Sequence, residues 1–303
     1  MTIALTGGTG FVGQALLDVL AGREGPVRAL ARKAPAGQPG QVDWVQGDLG
    51  NRAALDALVD GAEAVIHVAG LTNTPDPAEF ETANVGGTLE LVEAAVKAGV
   101  PRFVFVSSLS AREPQLSAYG ASKARAEKLV AASGLDWTIV RPPAVYGPRD
   151  RDMFELFRSA KWGVVPVPPP GRSSMIHVTD LAELLVALVP GGEAVTHRMF
   201  EPDDGREDGW SHREMAKAIG WAMGRHPWVP HLSKPMLERA AAFDRFFRRG
   251  KAKLTPDRVG YMTHPDWVAS KRAQVPEGIW SPRIPTREGL KATARWYREQ
   301  GWL

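Results

Sequence analysis

Tyr119 and Lys123, which stand four residues apart, are the pair of residues in this chain best suited to proton transfer. Their spacing places both side chains on one face of a helix. A phenol with a pKa near 10 is a poor base at neutral pH, but an ammonium group beside it stabilises the phenolate and lowers that pKa. The hydroxyl of Ser108, which follows an apolar run, could hold a substrate oxygen. These three residues are the catalytic candidates, and they predict acid–base chemistry on an alcohol or a carbonyl.

A glycine-rich turn joins the first apolar run to a helical pattern and reads Gly-Gly-Thr-Gly-Phe-Val-Gly over residues 7–13. Glycines permit a tight turn and a close approach of the backbone to a pyrophosphate. The amino end of the following helix adds N–H groups and a positive dipole end. The turn therefore predicts a bound dinucleotide, and the expected contact residues are Gly7, Thr9, Gly10, Phe11 and Val12.

Arg32 follows the second apolar run, about where an NAD site usually carries Asp or Glu. The sequence there is Ala31-Arg32-Lys33, which contains no carboxylate. A guanidinium group can form a charge-assisted hydrogen bond with a 2′-phosphate, and such bonds contribute about 1.5–3 kcal/mol. Arg32 therefore predicts a preference for NADP. The alternative is that Arg32 is a surface cation and that NAD is accepted as well.

The elements that must position these residues alternate between short apolar runs and helical periodicity. Continuously apolar, β-branched strands are typical of a parallel sheet with helices on both faces. The predicted fold class is α/β with a doubly wound parallel sheet (Rossmann fold), in which ligands bind beyond the carboxyl ends of the strands. The predicted strands are 2–6, 27–31, 42–45, 64–68, 103–106 and 137–140, and the predicted helices are 12–20, 53–59, 88–96 and 119–132.

The second half of the chain has a different pattern. We predict a turn over 146–150, helices over 153–161, 180–189 and 286–300, and short strands over 175–177 and 198–200. The Pro-rich segment 164–171 is expected to form a loop over the site. This pattern predicts a dinucleotide-binding domain over 1–165, to which segments near 175–200 return. A smaller, mostly helical substrate lobe is predicted over 166–303.

Composition limits the possible function classes. The 303 residues are 44% hydrophobic and 23% charged, which excludes a disordered, collagenous or coiled-coil chain. The absence of cysteine excludes a disulfide framework and a thiol nucleophile, and the histidines lack metal-ligand spacing, so no metal is predicted. The net charge of +3 and the absence of a long apolar run predict neither a nucleic-acid partner nor a membrane span. We expect a cytoplasmic protein that binds a small-molecule substrate and could form a homodimer.

Two aromatic features of the second half each allow two interpretations. Seven of the ten tryptophans follow residue 200, where they could line an apolar pocket or fill a core. The segment 237–253 carries Phe243, Phe246 and Phe247 among six basic and two acidic residues. It could lie on a membrane surface, or its aromatic side chains could pack on the protein.

Beyond these separate patterns, the chain resembles the extended short-chain dehydrogenases/reductases over essentially its whole length. Within them it is most similar to the branch of 3β-hydroxysteroid dehydrogenases and dihydroflavonol-type reductases. The resemblance implies that Ser108, Tyr119 and Lys123 form the catalytic set and that Tyr119 and Lys123 also contact the cofactor. The matching segments are 6–13, 47–49, 67–70, Asn84, 107–108, 141–148 and 176–180, and the further cofactor contacts implied are Asp48, Leu49, Ala69, Gly70, Ser107, Pro142 and Val145.

Two segments depart from the pattern of sugar-nucleotide epimerases and dehydratases, namely Pro143-Ala144 and residues 109–112. We therefore predict an NADP-dependent oxidoreductase that interconverts an alcohol and a carbonyl on a mainly apolar or aromatic small molecule. The alternatives are a sugar-nucleotide epimerase or dehydratase and a non-catalytic NADP-binding subunit or regulator. His67, His177 and Asp180 are interpreted as structural hydrogen-bonding residues.

Overall fold

The structure is a computed structural model that describes residues 1–35, 42–248 and 252–303. Its strands come from short apolar segments, as expected from the sequence. In chain order they are β1 (Ile3–Thr6), β2 (Val27–Ala31), β3 (Val42–Gln46), β4 (Ala64–His67), β5 (Arg102–Val106), β6 (Asp136–Val140), β7 (Ala144–Tyr146), β8 (Arg172–Ser173), β9 (Met175–His177), β10 (Arg198–Phe200), β11 (Trp210–Ser211) and β12 (Asp266–Trp267).

The helices lie between these strands and over most of the last hundred residues. In chain order they are α1 (Phe11–Leu20), α2 (Arg52–Val59), α3 (Ala78–Phe80), α4 (Gly87–Lys97), α5 (Ala118–Ala131), α6 (Phe154–Lys161), α7 (Val178–Ala187), α8 (His212–Ala222), α9 (Lys234–Arg248), α10 (Pro256–Met262) and α11 (Thr286–Glu299). A π-helical segment over Glu81–Gly86 joins α3 to α4, and a 3₁₀ helix over Leu109–Arg112 follows β5. Among the described residues, no helix is long and apolar enough to cross a bilayer.

The central sheet has seven strands in the order β3-β2-β1-β4-β5-β6-β10, and every pairing within it is parallel. The strand order reverses between β1 and β4. In sheets of this kind, ligands usually bind in the crevice beyond the carboxyl ends of the two strands at such a point. The doubly wound α/β prediction is therefore confirmed. The six predicted strands of the first half are present, each with ends within one residue of those observed.

Helices cover both faces of this sheet, which explains why its strands are apolar without alternation. On one face, Leu5 and Ile66 pack with α1 and α7 around Leu16 and Leu181. On the other face, Phe103 and Phe105 of β5 pack with α2, α4 and α5. The two cores hold the carboxyl ends of the strands in a fixed order along one edge.

A third core belongs to the last part of the chain and contains Phe157, Ile219 and Leu290, from α6, α8 and α11. Beside it lies a small sheet in the order β11-β8-β12. β10 joins the central sheet next to β6. The division into two domains near residue 165 stays a prediction.

The segment 144–150 and the tryptophans show what the local sequence pattern does not reveal. The predicted turn over 146–150 is present and is closed by a bond from the Asp150 N–H to the Gly147 carbonyl oxygen at 3.3 Å. Tyr146 itself is the last residue of β7, which pairs with β9 about thirty residues further along the chain. Trp210, Trp267 and Trp280 are each less than 10% exposed, so they fill cores.

The segment 164–171 has no helix and runs beside residues 228–232. Its predicted place over the site stays a prediction.

Candidate active site

The turn between β1 and α1 can be built only with glycines at two places. Gly7 has a φ of +78°, and a Cβ there would lie 2.7 Å from the amide nitrogen of Ala69. A Cβ at Gly13 would lie 2.0 Å from the carbonyl oxygen of Gly7. The turn is closed by a bond from the Gly10 N–H to the Gly7 oxygen, at 2.9 Å. These contacts bring the turn directly against the end of β4.

The amino end of α1 faces out of this turn. Gly10 is the residue before the helix and has no side chain with which to cap it. Thr9 and Gly10 are exposed, and Phe11 and Val12 are partly exposed. The first N–H groups of a helix have no partner within the helix, so an uncapped and accessible amino end suits an anionic group such as a pyrophosphate. The glycine cradle and this helix end together fit a dinucleotide.

Arg32, Asp48 and Leu49 lie at the carboxyl ends of β2 and β3, on the same edge of the sheet as the glycine turn. Arg32 is exposed directly after β2. An oxygen of Asp48 accepts a hydrogen bond from the Gly50 N–H at 3.0 Å, and this bond fixes the loop. The side chain of Leu49 packs where a Cβ on Gly87 would stand. The structure thus brings the predicted adenosine-binding residues to one place.

Ala69 and Gly70, which follow β4, lie between the glycine turn and Lys123. The amide of Ala69 donates to Thr6 Oγ1 at 3.2 Å. A Cβ on Gly70 would lie 3.3 Å from Asn84 Oδ1 and 3.6 Å from Lys123 Nζ. This strand end therefore lies against the Lys123 ammonium group. The predicted contacts of Ala69 and Gly70 with the cofactor stay predictions.

Lys123 is buried, and its ammonium group is held by the end of β5. Nζ donates to the carbonyl oxygen of Val106 at 2.9 Å and lies 4.4 Å from the centre of the Phe105 ring. Burial lowers the pKa of Lys123 to about 8, and the negative charge of Glu127 opposes this shift. Lys123 therefore changes its charge close to physiological pH.

The phenol of Tyr119 is partly buried, and its ring lies between two other aromatic rings. The ring centres of Phe80 and Tyr261 are 5.7 and 6.2 Å away. Burial raises the pKa of Tyr119 to about 12, while a hydrogen bond with Ser108 and the positive charge of Arg258 act in the opposite direction. Tyr119 is therefore a protonated acid at neutral pH. The prediction that Lys123 lowers this pKa is wrong, because burial dominates and the Lys123 ammonium group donates to Val106 instead.

Ser108 begins the 3₁₀ helix over 109–112. Its Oγ lies 2.9 Å from the Ser110 hydroxyl and accepts a bond from the Ser110 N–H at 3.2 Å. Pro142 closes the same corner, because its carbonyl oxygen accepts from the Leu109 N–H at 3.0 Å. Val145 lies in β7, which leads away from the end of β6. Pro142, one of the residues predicted to lie along the nicotinamide, is thus held close to Ser108 by a backbone bond.

The amino end of α5, which carries Tyr119, is fixed by residues from two parts of the chain. Ser117 Oγ accepts from the Gly120 N–H at 2.9 Å. Asp257 of α10 accepts from the Ala118 N–H at 2.5 Å and from the Tyr119 N–H at 3.4 Å. Because a carboxylate stabilises the amino end of a helix, α10 holds α5 in place. Asp257 was not among the predicted site residues, because no local signal connects it to Tyr119.

A buried chain of charges anchors α5 to the sheet. Glu127 accepts a hydrogen bond from the Ser107 hydroxyl at 2.5 Å and bonds from Arg141 at 2.6 and 2.8 Å. Arg141 also lies 3.5 Å from Glu201, which forms an ion pair with Arg112 at 3.6 Å. The hydroxyl of Ser107 is thereby engaged within the protein, and its predicted contact with the cofactor stays a prediction. Glu127 was missed, although its spacing of four residues from Lys123 placed it on the same helix face.

The histidines and Asp180 have structural partners. His67 lies between the hydroxyls of Thr6 and Thr88, at 2.6 and 3.0 Å, and burial lowers its pKa to about 3. His177 accepts from the Thr179 N–H at 3.2 Å and so caps α7. Asp180 accepts from two backbone N–H groups at residues 283 and 284. Each is therefore satisfied by the surrounding protein, in agreement with the structural interpretation.

The parallel sheet, the glycine turn and the cluster of Ser108, Tyr119 and Lys123 define an NAD(P)-dependent dehydrogenase or reductase of the extended short-chain type. Comparison with known proteins agrees. The chain belongs to the NAD dependent epimerase/dehydratase family, which matches residues 3–200. The family prediction is therefore confirmed, and so is the prediction that the chain is an enzyme.

Two curated relatives cover nearly the whole chain. A ceramide reductase from Caulobacter vibrioides (strain NA1000 / CB15N) is 38% identical over 99% of this chain and 96% of its own length. A UDP-glucose 4-epimerase from Vibrio cholerae is 26% identical over 97% of this chain and 94% of its own length. Among solved structures, MoeE5 in complex with UDP-glucuronic acid and NAD is 25% identical, with a TM-score of 0.75 over 99% of each chain. Reductases and sugar-nucleotide enzymes are thus both among the relatives.

Proposed function

We propose that this protein is an NADP-dependent reductase that converts a ketone on a ceramide-like lipid into an alcohol. The observation that carries the proposal is the setting of Tyr119, whose hydroxyl is hydrogen-bonded with Ser108 and whose ring is bordered by Phe80 and Tyr261. A protonated acid among aromatic rings suits the reduction of a carbonyl on an apolar molecule. The similarity to a ceramide reductase over 99% of the chain supports the same class of substrate.

In this reaction the chain's own residues orient the ketone and move the proton. When bound, the nicotinamide supplies a hydride from C4 to the carbonyl carbon. Ser108 donates a hydrogen bond to the carbonyl oxygen, and the Tyr119 hydroxyl transfers its proton to that oxygen as the C=O π bond breaks. Tyr119 is left as a phenolate and is protonated again from water. Lys123 would hold the nicotinamide ribose, and the glycine turn would hold the pyrophosphate.

The alternative substrate class is a sugar nucleotide, which the similarity to a UDP-glucose 4-epimerase favours. A diphosphate needs cations and oriented donors in the substrate cleft. Arg258, a cation close to Tyr119, lies 3.2 Å from Asp152 and is paired with it. Together with Pro143-Ala144, this pairing supports an uncharged substrate at this position.

Quenching of tryptophan fluorescence in the NADP-bound protein distinguishes these two classes. We expect saturable binding of a ceramide-like ketone that changes little with added salt, because burial of apolar chains is not screened. UDP-glucose should produce no saturable signal. Micromolar binding of UDP-glucose, with none by the lipid ketone, would contradict the proposed substrate.

The choice of NADP predicts the behaviour of an Arg32→Asp variant. Wild-type protein should bind NADP(H) at least about tenfold more tightly than NAD(H), a difference of roughly 1.4 kcal/mol. The variant should reverse this order, since a carboxylate repels the 2′-phosphate and accepts hydrogen bonds from a ribose. Isothermal titration calorimetry with both cofactors measures the effect. Arg23→Asp, an equal charge change at an exposed residue before β2, is the control and should leave the order unchanged. Equal affinities for the two cofactors in the wild type would rule out the assignment of Arg32.

The lowered pKa of Lys123 predicts how cofactor affinity depends on pH. Below about pH 8 the side chain is a cation that can donate to the nicotinamide ribose, and above that pH it becomes neutral. The Kd for NADPH should therefore rise as pH increases through about 8. Fluorescence titration at a series of pH values checks this. Lys123→Met should bind more weakly and show no such rise, and an unchanged rise in that variant would assign the titration to another group.

A further inference from the structure

The outer face of α9 presents an unusual group of exposed apolar side chains. Phe243, Phe246 and Phe247 are between 65 and 77% exposed, and Met236 is 50% exposed. The exposed residues 236, 240, 243 and 247 follow helical spacing, so they share one face. The ring centres of Phe243 and Phe247 are 4.3 Å apart, and those of Phe246 and Phe247 are 5.2 Å apart. The three rings thus form one cluster on the surface, and their exposure contradicts the alternative that they pack on the protein.

The opposite face of α9 is fixed to the protein. Leu237 and Ala241 are buried against Val259 of α10. Asp244 accepts from the N–H groups of Lys253 and Leu254 at 2.7 and 2.9 Å, which ties the chain after the helix to α9. The orientation of α9 is therefore set by packing, and its aromatic cluster points outward from a rigid base.

The helix that carries this apolar face is basic. Arg239 and Arg245 are exposed and form no ion pair with any residue that the structure describes. Arg248 pairs with Asp244 at 3.2 Å. The sequence continues with Arg249 and Lys251, which lie outside the described residues. An exposed apolar face on a basic helix complements a surface that is apolar and negatively charged.

We propose that α9 is an interfacial helix that docks this protein on an anionic lipid bilayer. Phe243, Phe246 and Phe247 would enter the boundary between headgroups and acyl chains, and the arginines would contact lipid phosphates. A second copy of this chain fits the surface less well. A two-fold interface would place the same arginine-rich surface on both partners, so like charges would face each other.

This docking surface lies one helix away from the candidate active site. α10 packs on α9 through Val259, and two residues further along α10 is Tyr261, whose ring lies 6.2 Å from that of Tyr119. Docking would therefore bring the α10 side of the active site near the bilayer. The inference depends on exposure and charge alone and does not rest on the proposed reaction.

The test is co-sedimentation of the full chain with vesicles made of equal parts phosphatidylglycerol and phosphatidylcholine. Wild-type protein should partition onto these vesicles, less onto pure phosphatidylcholine, and less when salt is added. A variant with Phe243→Gln, Phe246→Gln and Phe247→Gln should lose at least about tenfold in partition coefficient, because apolar burial drives insertion. These side chains are exposed, so the thermal unfolding temperature should change little.

Two controls separate membrane docking from other effects. The same three positions changed to Leu should retain most of the binding, since leucine is also apolar. Trp221→Gln on α8, another exposed aromatic residue, should bind like the wild type. Equal partition of the wild-type and glutamine proteins would overturn the inference. The inference would also be overturned if the wild type formed a dimer, the glutamine variant were a monomer, and neither protein bound to vesicles.

Discussion

Replacing Tyr119 with phenylalanine is expected to lower kcat for ketone reduction by about 10²–10⁴-fold, because the substitution removes the acid that protonates the carbonyl oxygen. The ring remains in place between Phe80 and Tyr261, so packing is preserved. The Kd for NADPH should change by less than about threefold, a free-energy difference of roughly 0.7 kcal/mol. Steady-state kinetics and a cofactor titration on the same preparation measure both quantities.

Tyr261→Phe is the matched control for this prediction. It removes a hydroxyl from the neighbouring ring, 6.2 Å from Tyr119, without removing the proposed acid. Its kcat should remain within about tenfold of the wild type, or roughly 1.4 kcal/mol in activation free energy. Near-normal turnover by Tyr119→Phe, or a larger loss in Tyr261→Phe, would show that the proton comes from another group.

Replacing Arg141 with methionine is expected to destabilise the fold by about 3–5 kcal/mol, because removing one partner of a buried ion pair leaves an uncompensated charge. Arg141 makes two hydrogen bonds to Glu127, and both side chains are less than 20% exposed. Glu201 would keep Arg112 as a partner, so most of the loss in stability arises because Glu127 loses its cation. The free energy of unfolding in urea, compared with that of the wild type, gives the magnitude.

Arg125→Met is the comparison, because it removes an exposed ion pair on α5, the helix that also carries Glu127. Arg125 forms an ion pair with Glu81, and both side chains are about half exposed. An exposed pair of this kind contributes roughly 0–1 kcal/mol, so this substitution should be nearly neutral. If the two variants lost similar stability, the charge network around Glu127 would not be an anchor of α5.

The sheet and its ligand-binding edge were predictable because the information is local. The strands of the first half are mostly apolar, β-branched segments, and helical periodicity lies between them. Parallel pairing then places the carboxyl ends of all these strands on one edge. For this reason Gly7, Arg32, Ala69 and Ser108 could be assigned to one site before any coordinates were known.

The parts that could not be predicted depend on contacts between distant segments. Asp257 caps the helix of Tyr119 across more than one hundred residues, and no pattern near either residue indicates this. Similarly, β7 acquires its strand partner only through β9. The tryptophans were ambiguous because a large aromatic side chain can fill a core or line a pocket. For the phenylalanines of α9, exposure could be decided only from the packed structure.

The pKa of Tyr119 also depends on contacts between distant segments of the chain. A Tyr-x-x-x-Lys spacing indicates that a cation can approach the phenol, but the charge state also depends on burial and on groups from other elements. Ser108 and Arg258 both act on Tyr119, and Arg258 lies in a helix that the sequence does not connect to it. The candidate catalytic residues were thus predictable from spacing, whereas their electrostatic setting was not.

The most direct test of the proposed reaction is to incubate the protein with NADPH and a ceramide-like lipid that carries a ketone, and to measure alcohol formed and NADPH consumed in the same sample. UDP-glucose is offered in a parallel sample. We predict that the alcohol forms in equal amount to the NADPH consumed, that Tyr119→Phe forms almost none, and that UDP-glucose is unchanged. Conversion of UDP-glucose to its 4-epimer without net consumption of cofactor, together with an unreacted lipid ketone, would contradict the proposed function.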